Sequence, residues 1–176
     1  MSGHSKWATI KRSKGAADNK RGALFTKLSK NISIAAKKGK DPAMNSSLRL
    51  AIDTARESNM PKDVIERAIL RGAGELPGQQ IEEIVYECYG PGGVALLVQC
   101  ATDNTNRTAG FIKTTLHSYG GKLGGPGSVS YLFQTKDQPT YTVPLTDPVV
   151  LQKFADLLEE LTDNEDVVDI SHNAQK

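Results

Sequence analysis

The side chains of this 176-residue chain that could do chemistry are few and scattered. Three histidines, His4, His117 and His172, stand far apart with no HExxH or comparable spacing, so their order proposes neither a metal ligand set nor a general base. The acids Glu159, Glu160, Asp163, Glu165 and Asp166 could imitate a metal site, but they lie on and beyond a helix end, where a solvated face is the expectation. "GGKLGGPGS", residues 120 to 128, offers glycine amides of the kind that cradle anions. A phosphate loop needs Gly-Lys-Ser/Thr just before a helix, whereas this segment follows a helix and feeds a strand. It reads as a turn at the entry to a sheet, with Lys122 as a secondary contact for a polyanion. "TDNTNRT", residues 102 to 108, reads as a helix cap by Thr105 or Asn106, leaving Arg107 to reach a phosphate or a partner carboxylate. No catalytic constellation emerges, so the expectation is a protein that is not an enzyme, with no cofactor, no metal and no small-molecule substrate.

What remains is electrostatic. "GHSKWATIKRSKGAADNKRG", residues 3 to 22, sets Lys6, Lys11, Arg12, Lys14, Lys20 and Arg21 against the single acid Asp18, and includes Trp7, the only tryptophan. The net charge of +2 hides a dipole: residues 1–40 carry +10, residues 41–80 carry −1 and residues 81–176 carry −7. Cations along an arm and a helix face can neutralise several phosphates together, each releasing counterions. With about six contacts, log K should fall against log salt with a slope of about −5 on duplex DNA. The candidate contact set is His4, Ser5, Lys6, Trp7, Lys11, Arg12, Lys14, Lys20, Arg21, Lys27 and Lys30. Trp7 either stacks on a base or anchors the arm. No helix-turn-helix or zinc-finger reader is visible, which points to recognition of shape or backbone. The opening also has the basic, acid-poor character of a mitochondrial transit peptide, but it runs unbroken into a folded helix.

The elements that must position these residues follow from hydrophobic spacing. From about Asp18 to Lys38, Leu24, Phe25, Leu28, Ile32 and Ala35 or Ala36 recur at three and four, predicting an amphipathic helix whose other face displays Lys20, Lys27, Lys30 and Lys37. A second helix starts at Asn45 or Ser46 and buries Leu48, Ala51, Ile52 and Ala55; a third starts at Pro61 and buries Val64, Ile65, Ala68 and Ile69. After residue 80 the period changes to that of strands. "EEIVYECY" and "GVALLVQCAT" form a hairpin about "GPGG", and pairing Tyr89 with Val94 sets Cys88 against Ala95 and Cys100 against Glu83. A helix with Ala109, Ile112, Leu116 and Tyr119 on one face follows, then strands at "SVSYLF" and "TYTV", a helix capped by Asp147 and Pro148, and a last strand at "DVVDIS". The fold class is α+β: a basic three-helix domain over residues 1–78, then a ferredoxin-like βαββαβ domain over residues 79–176 with one extra leading strand.

Two cysteines too far apart to bridge fit a reducing compartment, and no stretch approaches the roughly 18 apolar residues of a membrane span, so a cytoplasmic protein without a membrane partner is expected. A ligand-sensing or protein-interaction module, with the acidic half as its binding surface, is the alternative to nucleic-acid binding.

"GHSKWATIKRSKGAADNKRGALFTKL", "LRLAIDTARESNMPKDVIERAI", "YECYGPGGVALLVQCATDNTNRTA" and "GGKLGGPGSVSYLF" together resemble the YebC/PmpR family, which includes a mitochondrial translational activator. The similarity runs from Met1 to Phe133 and resumes at about Thr140. It implies a regulator of gene expression that binds DNA in transcription or ribosomal RNA, and so the ribosome, in translation, with no cofactor and no catalytic residues. It also implies that the contact lies in the basic head, from Lys6 and Trp7 to Arg21. Family members typically carry a further α/β lobe where this sequence has only "QTKDQPTYTVPLTDP", so a short form lacking that lobe is expected.

Overall fold

The structure, a computed structural model, describes residues 4–78, 80–135 and 138–175, with side chains from residue 17 onward. Helix α1 spans His4–Ala36, α2 spans Ser46–Glu57 and α3 spans Lys62–Gly72. The predicted arm and helix are therefore one element, and α1 starts well before Asp18.

The helical unit closes on Leu28, Ile32, Ala35 and Ala36 of α1, Leu48, Ile52 and Ala55 of α2, and Ile65 and Ala68 of α3, all buried. Burial of a side chain such as Ile32 or Leu48 contributes about 1.5–3 kcal/mol. Asn45 joins two helix ends: its Oδ1 accepts from the Leu48 amide at 3.1 Å, while its Nδ2 donates to the Ala35 and Gly39 carbonyls, both at 2.8 Å. At Gly72 a Cβ would stand 2.1 Å from the Ser33 carbonyl oxygen, so the α1–α3 approach requires glycine there. The Ser33 hydroxyl donates to the Ala68 carbonyl at 2.9 Å across the same contact.

The second unit is built on a four-stranded antiparallel sheet of order β3-β1-β2-β6, where β1 is Glu82–Tyr89, β2 is Ala95–Thr102, β3 is Lys122–Leu123 and β6 is Val167–His172. Helix α4 (Thr105–Ser118) and helix α5 (Pro148–Asp163) pack on one face, against Cys88, Leu96, Val98 and Cys100 through Ile112, Leu116, Phe154, Leu157 and Leu161. The opposite parity of β2, Ala95 and Leu97, is covered by Val129 and Leu132.

Helices followed by an antiparallel α/β sheet are what the pattern predicted, but the strand roles differ. The leading strand is not an extra: β1 sits inside the sheet between β3 and β2. The split β-α-β crossover therefore runs from β2 through α4 to the two-residue β3. Half of "SVSYLF" is a 3-10 turn, Ser130–Leu132, and only Phe133–Thr135 (β4) extends, pairing with Gln138–Pro139 (β5) in a separate ribbon. "TYTV" reaches no sheet; Val143 forms a single parallel bridge to Ala174.

The hairpin register also shifts by one. The Gly90 amide donates to the Val94 carbonyl at 2.8 Å, so the turn takes five residues rather than four, with Gly92 and Gly93 at φ of 74° and 77°. Tyr89 then faces Ala95, Cys88 faces Leu96 and Cys100 faces Ile84. Both cysteines are free and buried, and burial pushes each thiol up to about 12. Helix α4 is capped by Asn104, whose side chain accepts from the Arg107 amide, rather than by Thr105 or Asn106.

Candidate nucleic-acid interface

The predicted contact set divides along α1. His4, Ser5, Lys6, Trp7, Lys11, Arg12 and Lys14 have side chains outside the described residues. Lys20 and Arg21 are exposed. Lys20 shares a shallow depression with Ala23, Leu24, Lys27 and Asp163.

Further along, the displayed basic face does not exist as predicted. Lys20, Lys27, Lys30 and Lys37 follow one another at helical spacing, but the last three turn onto the α/β unit. Lys27 is half-buried and donates to the Thr162 carbonyl. Lys30 is only 7% exposed; it donates to the Glu165 carbonyl at 3.0 Å and to Asp166 Oδ1 at 2.5 Å. Lys37 donates to the Ile81 carbonyl. The chemistry is that of helix capping from outside: Thr162 lies in the last turn of α5, whose carbonyls have no partner within the helix and carry the negative end of its dipole. Desolvation lowers the affinity of the Lys27 amine for its proton, with Asp163 opposing that shift.

Asp166 is the centre of this junction and is not a member of a solvated acidic face. It is 2% exposed. The Arg107 guanidinium meets it as a fork, with Nη2 at 2.9 Å from both oxygens and Nε at 3.2 Å from Oδ2. The Thr108 hydroxyl adds a donor at 2.9 Å. Burial alone would raise the carboxyl's pKa, but the hydrogen bonds from Lys30, Arg107 and Thr108 outweigh it and hold the group below the ordinary aspartate value. Arg107 is thus committed to a carboxylate of its own chain, and its outer side also meets Asp103 at 3.0 Å.

The glycine-rich segment holds an anion, but the anion is internal. Glu87 on β1 accepts from the amides of Gly127 and Val129, both at 2.6 Å, and from that of Ser130 at 2.8 Å. Burial would raise its pKa, yet these amides bring it below the ordinary glutamate value. Lys122 is exposed and its ammonium stands 5.6 Å from the centre of the Tyr89 ring. Among the other candidates, His117 is exposed in the last turn of α4, and His172 sets its ring edge-on to Phe154 at 5.2 Å. Among the described residues no three His, Cys, Asp or Glu side chains are placed to hold a metal ion, and no helix is long and apolar enough to cross a membrane.

Residues 5–75 match the family model of the TACO1/YebC protein N-terminal domain, and residues 81–138 match that of the TACO1/YebC second and third domain. A "probable transcriptional regulatory protein" of Chlorobaculum tepidum is 54% identical over 94% of this chain and 67% of its own length. One from Treponema pallidum is 56% identical over 88% of this chain and 64% of its own length. A third, from Geobacter sulfurreducens, is 58% identical over 77% of this chain and 56% of its length. The chain thus spans about two thirds or less of the length of these relatives. In three dimensions it resembles the crystal structure of a conserved hypothetical protein from Aquifex aeolicus, with a TM-score of 0.82 and 32% identity over 88% of this chain and 90% of that one. Matched over both of its structural units by models specific to one family, the chain belongs to the TACO1/YebC family, the YebC/PmpR family of the sequence resemblance.

Proposed function

We propose that this protein is a non-enzymatic, cytoplasmic regulator of gene expression that binds nucleic acid backbone through the N-terminal half of α1. The observation that carries this reading is the segregation of charge on a single helix. The first 40 residues hold ten excess positive charges, the cations after residue 26 include three docked on the protein itself, and Lys20 and Arg21 face solvent. Of the cations in residues 6–21, the two whose side chains are described, Lys20 and Arg21, are exposed, and the sequence sets four more on the same helix before them. The regulatory names of the relatives support the same class of function. Structured RNA, including that of the ribosome, is the favoured target over duplex DNA, because no helix-turn-helix or zinc-finger pattern in the sequence accompanies the charge.

The test is side-by-side binding of the chain to ribosomes, structured RNA and duplex DNA across a salt series. Replacing Lys6, Lys11, Arg12 and Lys14 together by alanine should flatten the slope of log K against log salt by about 3, at about 0.7–0.9 per lost phosphate contact. Unchanged affinity for all three targets would overturn the proposal. Calorimetric binding of small metabolites, with none of nucleic acid, would replace it with the sensing alternative.

A further inference from the structure

We propose that Asp166 occupies a phosphate site: Lys30, Arg107 and Thr108, with Lys27 at the entrance, form an anion site at the junction of the helical and α/β units, which the protein closes with its own carboxylate until a nucleic acid backbone displaces it. This rests on the nucleic-acid reading above and assigns it a second contact and a gate.

The donor set is the first reason. A guanidinium fork, an ammonium and a hydroxyl converge on the two oxygens of one carboxylate. The same groups recognise two oxygens of a phosphate with the same geometry. Two further acids flank the site: Asp103 pairs with the solvent side of Arg107, where both side chains are 42–48% exposed, and Asp163 lies by Lys27. Neither fills the space that Asp166 takes.

The second reason is that the junction can part. None of the three apolar clusters among the described residues combines the two units: one draws on residues 25–69 and the others on residues 86–174. The units are instead joined by Lys27, Lys30 and Lys37 reaching carbonyls and Asp166. Beside that clamp lies a groove of about 550 Å³ between Leu28, Ile34 and Leu50 on one side and Glu83 and Gln99 on the other. Polar interfaces between domains permit relative motion, and a buried ion pair fixes an arrangement more than it stabilises one.

The third reason is continuity. Exposed Lys20 shares its depression with Lys27, Lys27 lies one helical turn from Lys30, and Lys30 shares Asp166 with Arg107, which is half exposed at the far side. A strand seated on exposed Lys20 and Arg21 is led along this row to the site.

The experiment uses the full chain with Glu57→Cys on α2 and Lys113→Cys on α4, both exposed positions, carrying spin labels for distance measurement; the native thiols, at most 1% exposed, stay unlabelled. Distances are recorded with and without a structured ribosomal RNA fragment, and RNA binding is titrated against salt for the otherwise native protein and for Asp166→Asn. We expect one distance without RNA, a shifted one at saturating RNA, and the shifted population in Asp166→Asn without RNA. The salt slope of Asp166→Asn should be steeper by about 1.5, for two released cations. Salt-dependent RNA binding with an unmoved distance in the native-Asp166 protein overturns this proposal alone, and needs no altered residue at the junction. Absence of any RNA or DNA binding overturns the nucleic-acid reading and the ligand assigned to this site with it.

Discussion

Two stretches of α1 and its C-terminal turn are made from the same residues and meet opposite fates. Around residue 20, Lys20 and Arg21 point into solvent; from residue 27 to 37, Lys27, Lys30 and Lys37 are drawn onto the last turn of α5, Asp166 and the carbonyl of Ile81. Charge and helical spacing are alike in both. What differs is the presence of acceptors within reach: a carbonyl in the last turn of α5 for Lys27, the Glu165 carbonyl and Asp166 for Lys30, and the Ile81 carbonyl for Lys37 make structural donors of these lysines. A basic stripe is therefore divisible: the part that meets no acceptor is open to a ligand directly, and the rest only where its own acceptor gives way.

The comparison can be broken most forcefully at Lys30. Lys30→Ala leaves a buried carboxylate still held by Arg107 and Thr108 but one cation short, and should cost about 1.5–3 kcal/mol of unfolding free energy by denaturant titration, the range for a lost hydrogen bond to a charged group. A neutral result would mean that Lys30 belongs with the free cations after all. Next in size is Gly72→Ala, which tests whether α1 is held from its other side: a Cβ 2.1 Å from the Ser33 carbonyl forces α3 away and should cost about 1–3 kcal/mol, read as a lower midpoint of thermal melting. The smallest stability effect belongs to Lys20→Ala with Arg21→Ala. Unfolding free energy should move by no more than about 0.5 kcal/mol, while the salt slope of RNA binding flattens by about 1.5. Equal stability losses at Lys20 and Lys30 would erase the division drawn here.

Much of the fold could be read in advance because its signals are local. Asn45 before an apolar stripe, Pro61 at a helix start and the Asp147-Pro148 pair gave α2, α3 and α5 nearly to the residue. The hairpin was legible but its register was not, since a four-residue and a five-residue turn share the same "GPGG", and the deciding bond is a backbone one, Gly90 to Val94. The short strands were misplaced for a related reason: β3 is two residues long, and its pairing with Cys88 and Tyr89 leaves no alternation to detect. Asp166 was hidden among its neighbours. Glu159, Glu165 and Asp163 are exposed as a charged run should be, and nothing in the composition separates the one member that meets Lys30 from 136 residues away. The burial of Lys30 is not legible in the sequence because α1 is packed on two sides, and periodicity reports only the apolar one.

That separation has a consequence for the order in which the molecule assembles. Asn45 binds the Ala35 carbonyl across 10 residues and Ser33 binds that of Ala68 across 35, so the helical unit closes through short loops. The clamp of Lys30 on Asp166 must wait until both units exist, because loop closure over 136 residues gains nothing until the turn leading into β6 has placed its acid. A contact that forms so late is lost chiefly through the unfolding rate, so stopped-flow kinetics of Lys30→Ala should show faster unfolding with folding nearly unchanged.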